Sequence, residues 1–98
     1  MTQPGARDYE AVFIYETGEE KVGTTKNFVA ETLTGSQIKI LKEDDLGERS
    51  LAYEIKKNDR GHYYHYELQS EPQALSTVEG TFKLRSEILK FVFYRKDS

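Results

Sequence analysis

At 98 residues, 37% of them hydrophobic and 32% charged, the chain has room for one core and the apolar surface to build it. The absence of cysteine excludes a disulfide framework, a thiol nucleophile and a thiolate-ligated metal, and no apolar run approaches the roughly 18 residues a bilayer span needs. A formal net charge of -3 excludes a general attraction to polyanions, so any nucleic-acid site has to be local.

Residues 1–8 contain Pro4 and Gly5 without periodicity and read as a flexible N-terminal tail; 9–96 read as one domain and 97–98 as a C-terminal tail. The opening "MTQPGARDYE" has no basic region followed by an apolar segment, which makes a cytoplasmic protein the default. "YEAVFIY", rich in aromatic and β-branched residues, predicts a buried strand over Tyr9–Tyr15. Between Glu19 and Leu33, Val22, Val29 and Leu33 recur at helical spacing with Phe28 beside them, and Gly35 suits the helix stop.

"QIKIL" alternates, as does "SLAYEI", with Leu51, Tyr53 and Ile55 on one side; together they predict one long second strand, bulged or bent at Gly47. "KKNDRG" predicts a hairpin turn, because Asn58, Asp59 and Gly61 tolerate the angles of a reversal. The third strand is "HYYHYEL". A second helix follows, with Leu75, Val78 and Phe82 as its stripe and Ser70 and Gln73 as a capping box. "ILKFVFY", Ile88 to Tyr94, predicts the last strand.

The order βαββαβ is the ferredoxin-like, split βαβ α+β pattern: a four-stranded antiparallel sheet with two helices on one face. Right-handed crossovers put the first and third strands in the centre. Alternation assigns Tyr64, Tyr66, Leu68, Ala11, Phe13, Phe91 and Phe93 to the helix side. Val12, Ile14, Tyr63, His65, Val92 and Tyr94 fall on the face that no helix covers, and a contiguous patch of that kind marks an interaction surface rather than scatter.

The chain offers little for catalysis. His62 and His65 stand three apart on a strand and point to opposite faces, so they do not form a metal pair. Glu43, Asp44 and Asp45 read as a solvated charge run, and the glycines form neither GxGxxG nor GxxxxGK. "GERS" lacks the second glycine of a nucleophile elbow. No enzyme, catalytic residue, metal, cofactor, small-molecule substrate or membrane is expected. "RGHYYHYE" meets the RNA-recognition-motif signature only at Arg60, Gly61 and Tyr64, while His62, Tyr63 and Glu67 depart from it.

The stretch "LGERSLAYEIKKNDRGHYYHYEL" resembles the central signature of the bacterial small-subunit ribosomal protein S6 family: Leu46, Gly47, Arg49, Leu51, Ala52, Tyr53, Ile55, Gly61 and Tyr66 occupy its positions. "RDYEAVFI" looks like the opening strand of that family and "FKLRSEILKFVFYR" like its last helix end and strand, so the resemblance spans roughly Arg7 to Lys96. It implies a non-enzymatic, ribosome-associated constituent of the 30S subunit, binding the central domain of 16S ribosomal RNA together with ribosomal protein S18.

Carried over by position, the resemblance implies that Arg7, Arg49, Lys83, Arg85 and Lys90 contact phosphate or the partner, with Tyr63 and His65 on the docking face. Asp8 and Ser50 stand where some members have a second basic residue, and Glu54 stands where the usual Leu-Ala-Tyr-Pro has proline. Weak binding to RNA alone and stronger binding with the partner present are therefore expected. The alternative is a protein-interaction or ligand-sensing domain on the same fold, which keeps the apolar face but has no need of Arg49, Lys83 and Arg85.

Overall fold

Alternation in the strands and the heptad-like stripes in the helices set two layers. A computed structural model describes residues 6–96. In it the chain runs β1 (Arg7–Tyr15), α1 (Glu19–Gly35), β2 (Lys39–Ile55), β3 (Asn58–Ser70), α2 (Pro72–Lys83) and β4 (Ile88–Arg95). The strands form one antiparallel sheet in the order β2-β3-β1-β4, the ferredoxin-like arrangement that the element order predicts.

The core lies between one sheet face and the two helices. Tyr9, Ala11, Phe13 and Tyr15 of β1 and Tyr64, Tyr66 and Leu68 of β3 meet Val22, Val29 and Leu33 of α1 and Leu75, Val78 and Phe82 of α2. Phe13 is fully buried at the centre, its ring centroid 5.4 Å from Tyr66, 5.3 Å from Phe82 and 5.7 Å from Phe91. Burying one such side chain stabilises the fold by roughly 1.5–3 kcal/mol. Thr25 completes the α1 stripe; it is tolerated there because its hydroxyl donates to the Lys21 carbonyl at 2.7 Å.

The joints differ from the sequence reading. β1 begins at Arg7, two residues early, because pairing with β3 continues through Arg7–Ser70 and Asp8–Gln69. Ala6 of the expected tail precedes the strand, and residues 1–5 and 97–98 lie outside the described residues. Gly35 ends α1 from within, and the left-handed conformation falls on Gln37, φ 64°. The bend at Gly47 is present: its φ is 85° and the β2–β3 register shifts between Asp45 and Gly47.

Two local expectations are corrected. The hairpin does not reverse at Asn58, Asp59 and Gly61 but at Lys56 and Lys57, both with positive φ (50° and 66°), between the paired residues Ile55 and Asn58. Asn58 supports the turn from outside, its Nδ2 donating to the Lys56 carbonyl at 3.0 Å. Nor do Ser70 and Gln73 make a capping box. Ser70 is the buried last residue of β3 and its hydroxyl donates to the Glu71 carbonyl, while Glu71 takes the N-cap position with no side-chain cap bond.

Candidate interaction face

Antiparallel partners present their side chains to the same side of a sheet. Across the face without helices, Ile14 aligns with Tyr63 and Lys90, Val12 with His65 and Val92, and Glu10 with Glu67 and Tyr94. β2 extends these rows, Asp44 opposite His65 and Arg49 opposite Gly61. The six residues that alternation assigned to this face are on it.

One end of the face is shaped by the β2–β3 hairpin, which leans across β1 to reach β4. Lys56 Nζ donates to the Ile88 carbonyl at 3.0 Å, and Lys90 Nζ donates to the Tyr53 hydroxyl at 3.3 Å. Beneath the hairpin, the side chains of Ile14, Leu51 and Leu89 converge on Gly61, and Ile14 and Leu89 are buried. On top, the Arg49 guanidinium sits 5.6 Å from the Tyr63 ring centroid and Lys90 Nζ 5.9 Å from that of Tyr53. Among the described residues, neither Arg49 nor Lys90 pairs with a carboxylate.

At the opposite end the polar groups pair with one another. His65 Nε2 lies 2.8 Å from Glu10 Oε1 and its Nδ1 3.8 Å from Asp44 Oδ2; Lys42 approaches Asp44 at 3.8 Å. Lys96 Nζ donates to Glu67 at 3.1 Å, and this hydrogen bond and the charge behind it hold the Glu67 carboxyl below its ordinary range and the Lys96 ammonium above its own.

His62 is on the other side of the sheet, as the spacing required. Its Nε2 is 2.6 Å from Asp45 Oδ1, and Asp45 also accepts from the Gly47 amide at 2.9 Å and the Tyr64 hydroxyl at 3.3 Å. Partial desolvation works against ionisation of Asp45, yet these donors together hold its carboxyl below the usual range. Burial, then the Asp45 charge, pushes Tyr64 up to about 12.

Of the residues carried over by resemblance, Arg49, Tyr63 and Lys90 lie at the hairpin end of the open face and His65 lies on the same face towards its other end. Arg7 is exposed at the outer end of β1, on the helix-side register. Lys83 is the exposed last residue of α2. Arg85 lies over the Phe28 ring at 4.1 Å and pairs with Glu87 at 3.2 Å, so its side chain is committed to packing on the helix side.

Tyr53, 62% exposed beside Lys90, belongs to the family signature but was not among the expected contact residues. Alternation grouped it with Leu51 and Ile55, but the β2–β3 register breaks between Ser50 and Ile55, which frees Tyr53 from the strand's parity. Among the described residues, no group of three or more His, Asp and Glu side chains is arranged to hold a metal ion, and no helix is long and apolar enough to cross a membrane.

Fold and face together define a ferredoxin-like domain that presents one uncovered sheet face carrying aromatic and cationic groups. The model of the family "Ribosomal protein S6" matches residues 8–95, and the chain belongs to that family. It is 34% identical over 94 residues to the small ribosomal subunit protein bS6 of Helicobacter acinonychis, covering 94% of this chain but 66% of that protein. It is 33% identical to the bS6 of Treponema pallidum (strain Nichols), covering 94% of this chain and 99% of the relative. The solved 30S ribosomal protein S6 of Thermotoga maritima superposes with a TM-score of 0.85 at 29% identity, over 93% of this chain and 88% of that one. The C-terminal domain of MgtC from Mycobacterium tuberculosis, TM-score 0.66 at 11% identity over 98% and 94%, shares the fold alone.

Proposed function

We propose that the chain is a structural, non-catalytic constituent of the small ribosomal subunit, ribosome-associated in the cytoplasm. In this reading it binds the central domain of 16S ribosomal RNA together with ribosomal protein S18. The observation that carries the reading is the family match over residues 8–95. The placement of Arg49, Tyr63, His65 and Lys90 on one uncovered face supports a docking role for that face. Arg7 and Lys83, exposed at the rim of the domain, serve as outlying phosphate contacts, and Arg85 acts mainly by fixing the α2–β4 connection on Phe28.

Lysine and arginine neutralise phosphates without reading bases, so these cations position the protein, and RNA shape and the partner supply specificity. The test is binding to a central-domain 16S RNA fragment at two salt concentrations, with and without S18. The wild-type chain is compared with a variant carrying Arg49→Ala, Lys83→Ala and Arg85→Ala. Binding that needs S18, falls with salt and weakens in the variant is expected. No binding in any condition, with S18 shown to be folded, would favour a protein-interaction or ligand-sensing role.

A further inference from the structure

We infer that Asp45 is a positioning residue for the docking face: from the helix side of the sheet its carboxylate fixes the β-bulge at Leu46 and Gly47, and the bulge turns Arg49 onto the open side. The inference rests on the docking reading above and adds the device that decides which side of the sheet this cation serves.

Strand parity shows that such a device is needed. Side chains alternate along a strand, so residues an odd number of positions apart fall on opposite faces, and a slip of one residue exchanges the faces. Asp44 and Arg49 stand an odd number apart, yet both belong to the open face. Asp44 is opposite His65, and Arg49 is opposite Gly61 with its guanidinium 5.6 Å from the Tyr63 ring centroid. The extra residue is Leu46, because the register passes from Asp45–Tyr64 directly to Gly47–Tyr63. In an unbroken ladder continuing from Asp45–Tyr64, Arg49 would meet Arg60 and point to the helix side.

Asp45 ties the bulge down from three directions. Its Oδ1 accepts from the Gly47 amide at 2.9 Å and lies 2.6 Å from His62 Nε2, and its Oδ2 accepts from the Tyr64 hydroxyl at 3.3 Å. An Asp oxygen on the amide two residues ahead forms a local turn, and Gly47, with φ 85°, is free to adopt the angle that the turn requires. The two β3 partners flank the bulge: Tyr64 is opposite Asp45, before the extra residue, and His62 is opposite Glu48, after it. One carboxylate therefore joins the ladder on both sides of its interruption.

The ladder beyond the bulge agrees with this register and opposes the slipped one. Arg60, opposite Ser50, pairs with Glu48 at 2.6 Å and donates from Nη1 to the Ser50 hydroxyl at 3.0 Å. The slip would set Arg60 directly against Arg49, and like charges in that position are destabilising. Asp45 secures the bulge on its near side and Arg60 on its far side, and the residue whose face they determine is Arg49.

The test uses the full chain with S18 and the central-domain RNA fragment. Wild type is compared with Asp45→Ala, Asp45→Asn, Arg49→Ala and the double variant carrying Asp45→Ala and Arg49→Ala. Arg49→Ala is expected to weaken binding about 3- to 10-fold, the loss of one contact, and Asp45→Ala to weaken it to a similar degree. The double variant should bind no more weakly than Arg49→Ala, because a residue that acts through Arg49 has nothing to add once Arg49 is gone. Asp45→Asn, which keeps an oxygen for the Gly47 amide, should stay near wild type. The NMR contact between the Arg49 side chain and the Tyr63 ring should be lost in Asp45→Ala and kept in Asp45→Asn. Urea midpoints check folding; if Asp45→Ala is unfolded, Gly47→Ala, which strains the same bulge through its backbone, replaces it alone and with Arg49→Ala. Wild-type affinity of folded Asp45→Ala, or losses that multiply in the double variant, overturns the inference and leaves the docking reading standing. Wild-type affinity of Arg49→Ala removes Arg49 from the docking face and overturns the inference with it. Absence of binding by wild type with folded S18 overturns the docking reading, and survival of the Arg49–Tyr63 contact in Asp45→Ala overturns the positioning role whatever the binding.

Discussion

Gly61 faces the Ile14 side chain with no room for a Cβ between them. A methyl group at Gly61 would collide with Ile14 Cγ2 and stand 3.3 Å from Leu51 Cδ2 and 3.6 Å from Leu89 Cδ1. Ile14 is buried, and its Cγ2 sits on a β-branched carbon that cannot swing clear. The close approach lets the β2–β3 hairpin lie down on the open face. Gly61→Ala is therefore expected to destabilise the fold by about 1–3 kcal/mol through overpacking. Ile14→Ala should relieve the clash, so the double variant is less destabilised than the sum of the singles. Urea denaturation of all four proteins checks this, and an unchanged midpoint for Gly61→Ala would refute it.

The hairpin turn makes an opposite prediction. Lys56 and Lys57 both adopt left-handed backbone angles, for which each non-glycine residue carries a cost of roughly 1 kcal/mol. Lys56 has compensation, since its amine donates to the Ile88 carbonyl across the sheet. Among the described residues, Lys57 forms no comparable bond. Lys57→Gly should raise stability by about 0.5–1 kcal/mol, whereas Lys56→Gly should gain less because the tether is lost. A lower urea midpoint for Lys57→Gly than for wild type would count against this account.

Tyr15 and Tyr66 hydrogen-bond to each other through their hydroxyls at 2.8 Å, both rings fully buried. Burial, reinforced at Tyr15 by its neighbour Tyr66, pushes both phenols well above their ordinary value near 10. The stability linked to these groups is fully present below pH 10, the unfolded value. As pH rises past it the unfolded chain releases protons that the folded one retains. Each such tyrosine should then remove about 1.4 kcal/mol per pH unit until its folded pKa is reached. Stability measured from pH 8 to 12 should fall more steeply for wild type than for Tyr15→Phe. Parallel curves would show that Tyr15 ionises in the folded state as it does in the unfolded one.

At the acid end, Asp45 is the group to follow. Its folded pKa is depressed, so its contribution is present above the unfolded carboxylate value and is lost as pH falls through the folded one. His62→Ala should raise the Asp45 titration midpoint seen by NMR, while a change at His65, across the sheet, should leave it in place. An Asp45 midpoint unmoved by His62→Ala would mean that the Gly47 amide and Tyr64 suffice.

Element order, strand centrality and the two faces were legible because period-2 and helical patterns are written in large apolar residues such as Phe13, Tyr66, Val29 and Phe82. The joints were less so, since each is decided by a partner distant in sequence. Lys56 turns the chain while tethered to Ile88, and Ser70 is held in β3 by pairing with Arg7 and so does not cap α2. The candidate site was half legible for the same reason. Tyr63, His65 and Lys90 follow strand parity, but Tyr53 escapes it at a register break and Arg85 is taken up by Phe28, 57 positions earlier in the chain.

That division among the basic residues can be measured. Arg85 stacks on Phe28 at 4.1 Å and pairs with Glu87, whereas Arg49 and Lys83 are exposed and form no ion pair among the described residues. Removing the Arg85 side chain strips a planar cation and its stem from an aromatic face, so Arg85→Ala should cost about 1 kcal/mol of stability. Arg49→Ala and Lys83→Ala should stay within about 0.5 kcal/mol of wild type. If binding to the RNA fragment follows phosphate contacts alone, Arg49→Ala weakens it at full stability. Phe28→Leu, which removes the seat of Arg85 without changing any charge, should reproduce the stability loss of Arg85→Ala. Urea midpoints for the four variants decide the matter, and a fully stable Arg85→Ala would return Arg85 to the set of free surface cations.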